Sequence, residues 1–203
     1  MPVLRGHGKT PEALFGVTAA DWLTDAEVAL DDLLGLASRA VVVGFSLGGA
    51  IALELGIRRP EGIAGVVALA PALRWSSPLA GLAPLLGAFV KRFPAPKPPA
   101  DLGYRYSEYT WFPTESFVAA YRFGRTVEGR LPLLHTPLLV LGSHRDRIIQ
   151  PRSSHLAHDL AGSTRKRLKM LDDSEHEVLL GNARSDALAE VMGFIAGQGK
   201  LPA

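Results

Sequence analysis

Three residues far apart in the chain could together carry out nucleophilic chemistry: Ser46, Asp146 and His176. A serine hydroxyl is a weak nucleophile near neutral pH. It needs a base, usually histidine, and the base needs a carboxylate to fix its tautomer and stabilise the imidazolium. Ser46 lies in Gly44-Phe45-Ser46-Leu47-Gly48-Gly49, directly after Val41-Val42-Val43 and before the apolar run Ala50 to Ile57. A buried strand, then G-x-S-x-G, then a helix is the context that a nucleophile on a sharp turn requires. Side chains at Gly44 and Gly48 are expected to collide with the neighbouring turn and strand. The helix that opens near Leu47 should aim backbone N–H groups at the reaction site, where an oxyanion can be held.

The order along the chain adds specificity. Ser46 follows one expected strand, Asp146 a later one, and His176 the last, which is the order serine, acid, histidine of one fold type. If those strands are parallel, all three loops open at the same sheet edge. Each residue has a plainer reading. Asp146 sits between Arg145 and Arg147 and could be a surface ion-pair residue. His176, flanked by Glu175 and Glu177, could be an exposed loop histidine. His144 reads as a loop residue, His155 and His158 as solvated positions on a helix, and His135 as structural. Asp172 and Asp173 are fallback acids after the wrong strand.

The elements that must position these residues are legible. Thr18 reads as an N-cap, with Asp21 where a capping box would have Glu. Trp22, Leu23, Ala26, Leu30, Leu33 and Leu34 follow at helical spacing. Ile63 to Pro71 reads as a second buried strand, and its continuous apolar run suits a parallel sheet covered on both faces. From Leu73 to Arg130 the strand–helix rhythm stops, and most of the aromatics cluster there, Trp75, Phe93, Tyr109, Trp111, Phe112 and Phe117 among them. Short helices are expected around Leu79–Arg92 and Thr114–Val127. Between them Phe93-Pro94-Ala95-Pro96-Lys97-Pro98-Pro99 can be neither helix interior nor central strand. The rhythm returns with a strand at Leu138–Gly142, a helix from Arg152 to Ala161, an edge strand at Lys166–Leu171 and a last helix from Ser185 to Ile195. The expected organisation is a first core half at 1–72, an insertion over the carboxyl ends of the strands at 73–130, and a second core half at 131–203.

Composition removes several classes. At 203 residues and 47% hydrophobic, one substantial core is expected. A net charge of +2 gives little reason to expect nucleic acid. With no cysteine there is no disulfide framework or thiol nucleophile. No metal spacing or Gly-rich phosphate loop is visible. No apolar run approaches the roughly 20 residues of a membrane span. The N-terminus lacks a signal-like apolar stretch, and the expected location is cytoplasmic.

These features together resemble the α/β-hydrolase superfamily, and within it the bacterial carboxylesterase and monoacylglycerol-lipase group. Leu4-Arg5-Gly6-His7-Gly8, Pro11-Glu12 and Asp21-Trp22 are similar to the segment ahead of the serine turn in those enzymes. Gly44 to Gly49 matches their turn, Pro137 to Asp146 with Ile149 and Pro151 resembles their acid segment, and His176 matches their base. One departure is Glu175, where the family usually has Gly. The resemblance implies an α/β-hydrolase fold with a helical cap and no cofactor, and ester hydrolysis through an acyl-enzyme. It carries the Leu47 N–H over as one oxyanion donor. Family members have further strands before Pro2-Val3-Leu4, one ending in a His-Gly that leads to the second donor. His7-Gly8 matches a later family loop and is not assigned that role. Losing one oxyanion donor costs on the order of 10²–10³ in rate. The expectation is therefore an N-terminally truncated version of the fold, with coding sequence upstream of Met1. The alternatives are a rearranged chain and a homodimer that lends a strand across.

The expected partner is a small-molecule ester with a short- to medium-chain acyl group, monoacylglycerol-like esters included. A non-catalytic binding protein on the same scaffold is the rival from another class. A thioester, amide or carbon–carbon substrate would keep the triad and change the bond.

Overall fold

The computed structural model describes residues 1–82, 85, 89–95 and 109–198. In chain order the main elements are helix α1 (Ala19–Leu34), strand β1 (Ala40–Phe45), helix α2 (Leu47–Arg58), strand β2 (Ile63–Leu69), the short strands β3 (Arg92–Pro94) and β4 (Trp111–Pro113), helix α3 (Thr114–Arg130), strand β5 (Leu138–Ser143), helix α4 (Arg152–Leu160), strand β6 (Lys166–Leu171) and helix α5 (Arg184–Gln198). The main sheet runs β1-β2-β5-β6, parallel throughout. Each parallel step needs a crossover, and the helices supply it.

Two apolar layers cover the sheet. On one face α1, α2, α3 and α4 pack Trp22, Leu30, Leu53, Val127 and Ala157 against Val66, Leu138 and Val140. On the other, Ala187 and Val191 of α5 cover Val67, Leu69, Leu139 and Leu141. Neighbouring residues of β2 and β5 feed opposite layers, so both strands read as unbroken apolar runs. Each buried Leu or Val side chain contributes about 1.5–3 kcal/mol. Glu54 is a buried charge inside α2. Arg58 at 2.8 Å and Arg130 at 3.2 Å flank it, tying α2 to the end of α3.

The α1 start is as the spacing requires. The Asp21 N–H donates to Thr18 Oγ1 at 3.2 Å, and the Thr18 N–H donates to Asp21 Oδ2 at 2.9 Å. The Thr18 hydroxyl also donates to Asp21 Oδ2 at 2.7 Å, and this bond, with that from the Thr18 N–H, holds the Asp21 carboxyl below its ordinary value of 3.8. A depressed carboxyl stabilises the fold above its unfolded pKa, and that contribution is lost as pH falls through the folded value. Thr18→Ala is expected to destabilise the protein by about 1 kcal/mol at neutral pH, read as a lower urea midpoint with unchanged slope.

Two expectations change. The Val41–Val43 segment is a strand but is not fully buried: Val43 is 45% and Phe45 40% exposed. Among the described residues β1 pairs with β2 alone, so its other edge faces a groove. The helix expected over Leu79–Arg92 does not reach Arg92. Pro78–Leu82 is a 3-10 turn, while Arg92–Pro94 pairs antiparallel with Trp111–Pro113. The middle of that helix, and most of the proline-rich joint, lie outside the described residues. The ring of Phe93 stacks on Phe117 of α3 at 4.5 Å, which favours an extended chain there over a helical one.

Candidate active site

Because the sheet is parallel, the carboxyl ends of β1, β5 and β6 lie along one edge, and the three chemically suggestive residues follow those ends directly. Ser46 stands between β1 and α2 with φ 53° and ψ −116°, a strained backbone for a residue with a side chain. Its neighbours enforce it. The Ser46 N–H donates to Leu69 O at 2.8 Å, and Ser46 O accepts from Ala72 N at 3.0 Å and Ala50 N at 3.2 Å. The end of β2 thus clamps the turn from the side.

Gly44 is required by close approach: a Cβ there would sit 1.9 Å from Gly48 O. The same argument fails at Gly48, where a Cβ would meet nothing within 4 Å. The second tight position is Gly49, whose Cβ would lie 3.0 Å from Pro71 Cα and 3.2 Å from Leu69 O. The helix leans on the β2 exit through Gly49, whereas Gly48 faces the open groove.

His176 Nε2 lies 3.0 Å from Ser46 Oγ, and His176 Nδ1 lies 2.7 Å from Asp146 Oδ2. The histidine is 5% exposed and the aspartate 8%. The other carboxylate oxygen, Asp146 Oδ1, accepts from the N–H groups of Ile148 at 2.9 Å and Ile149 at 2.8 Å. Asp146 is therefore not a surface partner of its flanking arginines; Arg145 turns instead to Asp173 at 3.5 Å. Four of the other five histidines stay apart. His144 is 3.7 Å from Asp172 on the surface, His135 Nδ1 is 3.2 Å from Gly162 O, His158 sits beside Asp159, and His155 is exposed.

Some contributors carry no sequence signature. The Phe45 ring lies 4.8 Å from the His176 ring and covers it on the groove side. Ser143 Oγ donates to Ser174 O and accepts from Arg145 N, joining the loop of Asp146 to the loop of His176. The Phe45–His176 and Ser143–Ser174 contacts join segments distant in sequence, so spacing alone could not reveal them.

Leu47 opens α2, where the first backbone N–H groups lack helical acceptors. Beside it lies an apolar cavity of about 390 Å³. Trp75, Phe93, Phe112 and Phe117 line its wall, together with Leu14 and Trp22 from the segment before β1. Ser46 itself lies on the larger groove along β1, and the two spaces meet at Leu47 and His7.

An all-parallel sheet with a strained serine turn, an acid loop and a histidine loop on one edge describes a class of hydrolase fold, and comparison assigns the family. Residues 1–191 match the model of the Alpha/beta hydrolase family, and the chain belongs to it. A thermostable monoacylglycerol lipase of Bacillus sp. (strain H-257) is 26% identical over 199 residues, spanning 97% of this chain and 78% of that one. A solved structure described with LipS and LipT, two metagenome-derived lipolytic enzymes, superposes with a TM-score of 0.89. It is 28% identical and covers 96% of this chain and 80% of its own. A soluble variant of monoglyceride lipase from Saccharomyces cerevisiae, in complex with a substrate analog, superposes with a TM-score of 0.80. At 15% identity, over 98% of this chain and 77% of that one, it speaks to the fold alone. Among the described residues no helix is long and apolar enough to cross a membrane.

Proposed function

We propose that the protein is a serine hydrolase that cleaves carboxylic esters through an acyl-enzyme. The observation that carries this reading is the relay of 3.0 Å from Ser46 Oγ to His176 Nε2 and 2.7 Å from His176 Nδ1 to Asp146 Oδ2. Both distances suit proton transfer and orientation.

In this mechanism His176 takes the Ser46 proton as Oγ attacks the ester carbonyl. Asp146 holds the imidazole with Nδ1 protonated and stabilises the imidazolium that forms. The Leu47 N–H donates to the developing oxyanion. His176 then gives its proton to the leaving alkoxide, which departs as the alcohol. In the second half His176 activates water against the acyl-enzyme, and the carboxylic acid is released.

The cavity of about 390 Å³ beside Leu47, walled by Trp22, Trp75 and Phe117, suits an acyl chain of short to medium length. Monoacylglycerol-like esters fall in this class, in keeping with the relatives' names.

A fluorophosphonate tests the reading directly, because it reacts with an activated serine and not with an ordinary one. The expected result is a single adduct on the peptide containing Ser46, abolished in Ser46→Ala, together with turnover of p-nitrophenyl butyrate. A folded chain that takes no label would replace the enzyme reading with that of a binding protein.

A further inference from the structure

We infer that Arg147, with the hydroxyls of Ser76 and Ser77, selects amphiphilic ligands that carry an anion, a carboxylate or a phosphate, beside the apolar part held in the aromatic cavity. This rests on the cavity being the substrate's, and it deepens the ester reading by naming a substrate class.

The charges lining the cavity are one-sided. His7 and Arg147 are its ionisable wall residues, and no Asp or Glu lines it among the described residues. Other arginines near the site have partners. Arg74 is bound to Glu128 at 2.6 Å, Arg145 lies 3.5 Å from Asp173, and Arg92 sits over the Trp111 ring at 4.4 Å. Arg147 forms no ion pair, hydrogen bond or ring contact with any described residue. An unpaired guanidinium beside apolar walls is a ready acceptor of a planar or tetrahedral oxyanion, which it can bind through two parallel N–H groups.

The mount is rigid. The residues after Arg147 are held from both sides: Ile148 N and Ile149 N donate to Asp146, Ile148 O accepts from Ser76 N at 2.9 Å, and Ile149 bridges Trp75. These same contacts bring Ser76 and Ser77 to the cavity wall next to Arg147. Their hydroxyls make no hydrogen bond to a described residue, so they are free to donate to an anion.

Binding can be read without turnover. Trp22 and Trp75 line the cavity, so their fluorescence reports occupancy. The chain is titrated with octanoate, octyl phosphate and 1-octanol, and the readout is the affinity of each anion relative to octanol. Arg147→Gln is expected to lower that ratio about three- to fivefold for at least one anion, and Arg147→Lys to keep most of it. The larger fall identifies the anion, phosphate or carboxylate. A ratio that Arg147→Gln leaves unchanged for both anions overturns the inference. Because ester hydrolysis itself yields a carboxylate, octanoate can also bind near Ser46 and persist in Arg147→Gln; octyl phosphate then decides, and its ratio unchanged as well overturns the inference. Loss of fluorophosphonate labelling with the anion preference intact would sink the ester reading alone.

Discussion

Ser46→Ala is expected to abolish measurable ester turnover, a fall on the order of 10⁵-fold or more in kcat, while leaving the thermal midpoint nearly unchanged. The hydroxyl is the only group at this position able to form the acyl bond, so no residual path through the same intermediate remains. The stability part follows from the backbone. With φ at 53° and three hydrogen bonds clamping the residue, alanine bears the same strain as serine. Ser46→Gly separates the two effects. Glycine adopts this conformation without the Cβ penalty, so the variant should be as inactive as alanine yet more stable by about 1 kcal/mol, or about 3 °C in midpoint. Kinetics on p-nitrophenyl butyrate and a thermal melt of the same samples check both. Activity surviving in Ser46→Ala would remove Ser46 as nucleophile; a Ser46→Gly protein less stable than wild type would show that the turn is not strained.

Asp146→Asn is expected to lower kcat about 10⁴-fold with little loss of stability. Two backbone N–H groups, from Ile148 and Ile149, point at Oδ1. An asparagine must therefore turn its carbonyl oxygen toward them and its NH₂ toward His176 Nδ1. The histidine nitrogen that donates in the wild type must then accept, which puts the ring proton on Nε2, facing Ser46 Oγ. A ring protonated there cannot take the serine proton. The substitution keeps the hydrogen bonds, leaves those from Ile148 and Ile149 as they were and reverses the direction of those made by His176. Asp146→Ala differs in kind, since it orphans two N–H groups in a buried site and should cost about 1–3 kcal/mol for each. Comparing kcat and urea midpoints of the two variants distinguishes tautomer from packing. An Asp146→Asn enzyme within tenfold of wild type would mean that the carboxylate does not orient the base.

Much of this site could be read before any coordinates because its parts obey local rules. A Val run, a G-x-S-x-G and an apolar helix occupy adjacent positions, and strand-to-helix geometry dictates that order. The capping box at Thr18 and Asp21, the apolar runs of β2 and β5, and the basic–apolar alternation of β6 at the sheet edge are equally local. The readings that changed depend on what lies across space. Gly48 looks equivalent to Gly44 in sequence, yet the close contact falls on Gly49, because β2 passes that side of the helix. The Val41 strand looks buried, yet β1 has a paired neighbour on one side only among the described residues. Arg92 looks like a helix end, yet the stacking of Phe93 on Phe117 holds an extended chain there.

The sequence by itself determined the order of the Ser46, Asp146 and His176 loops, the chemistry proposed for them and the alternation of strands and helices. Those follow from residue types and periods along the chain. Only the tertiary structure decided that His176 lies within 3.0 Å of Ser46 and 2.7 Å of Asp146, rather than His144 or Asp172 taking those places. It also placed the Phe45 ring 4.8 Å from the His176 ring, linked two loops through Ser143, and set Arg147 on the wall of the aromatic cavity with no partner among the described residues. The reason is physical: a contact between residues separated by 130 positions is set by sheet register and strand direction, which no local pattern encodes.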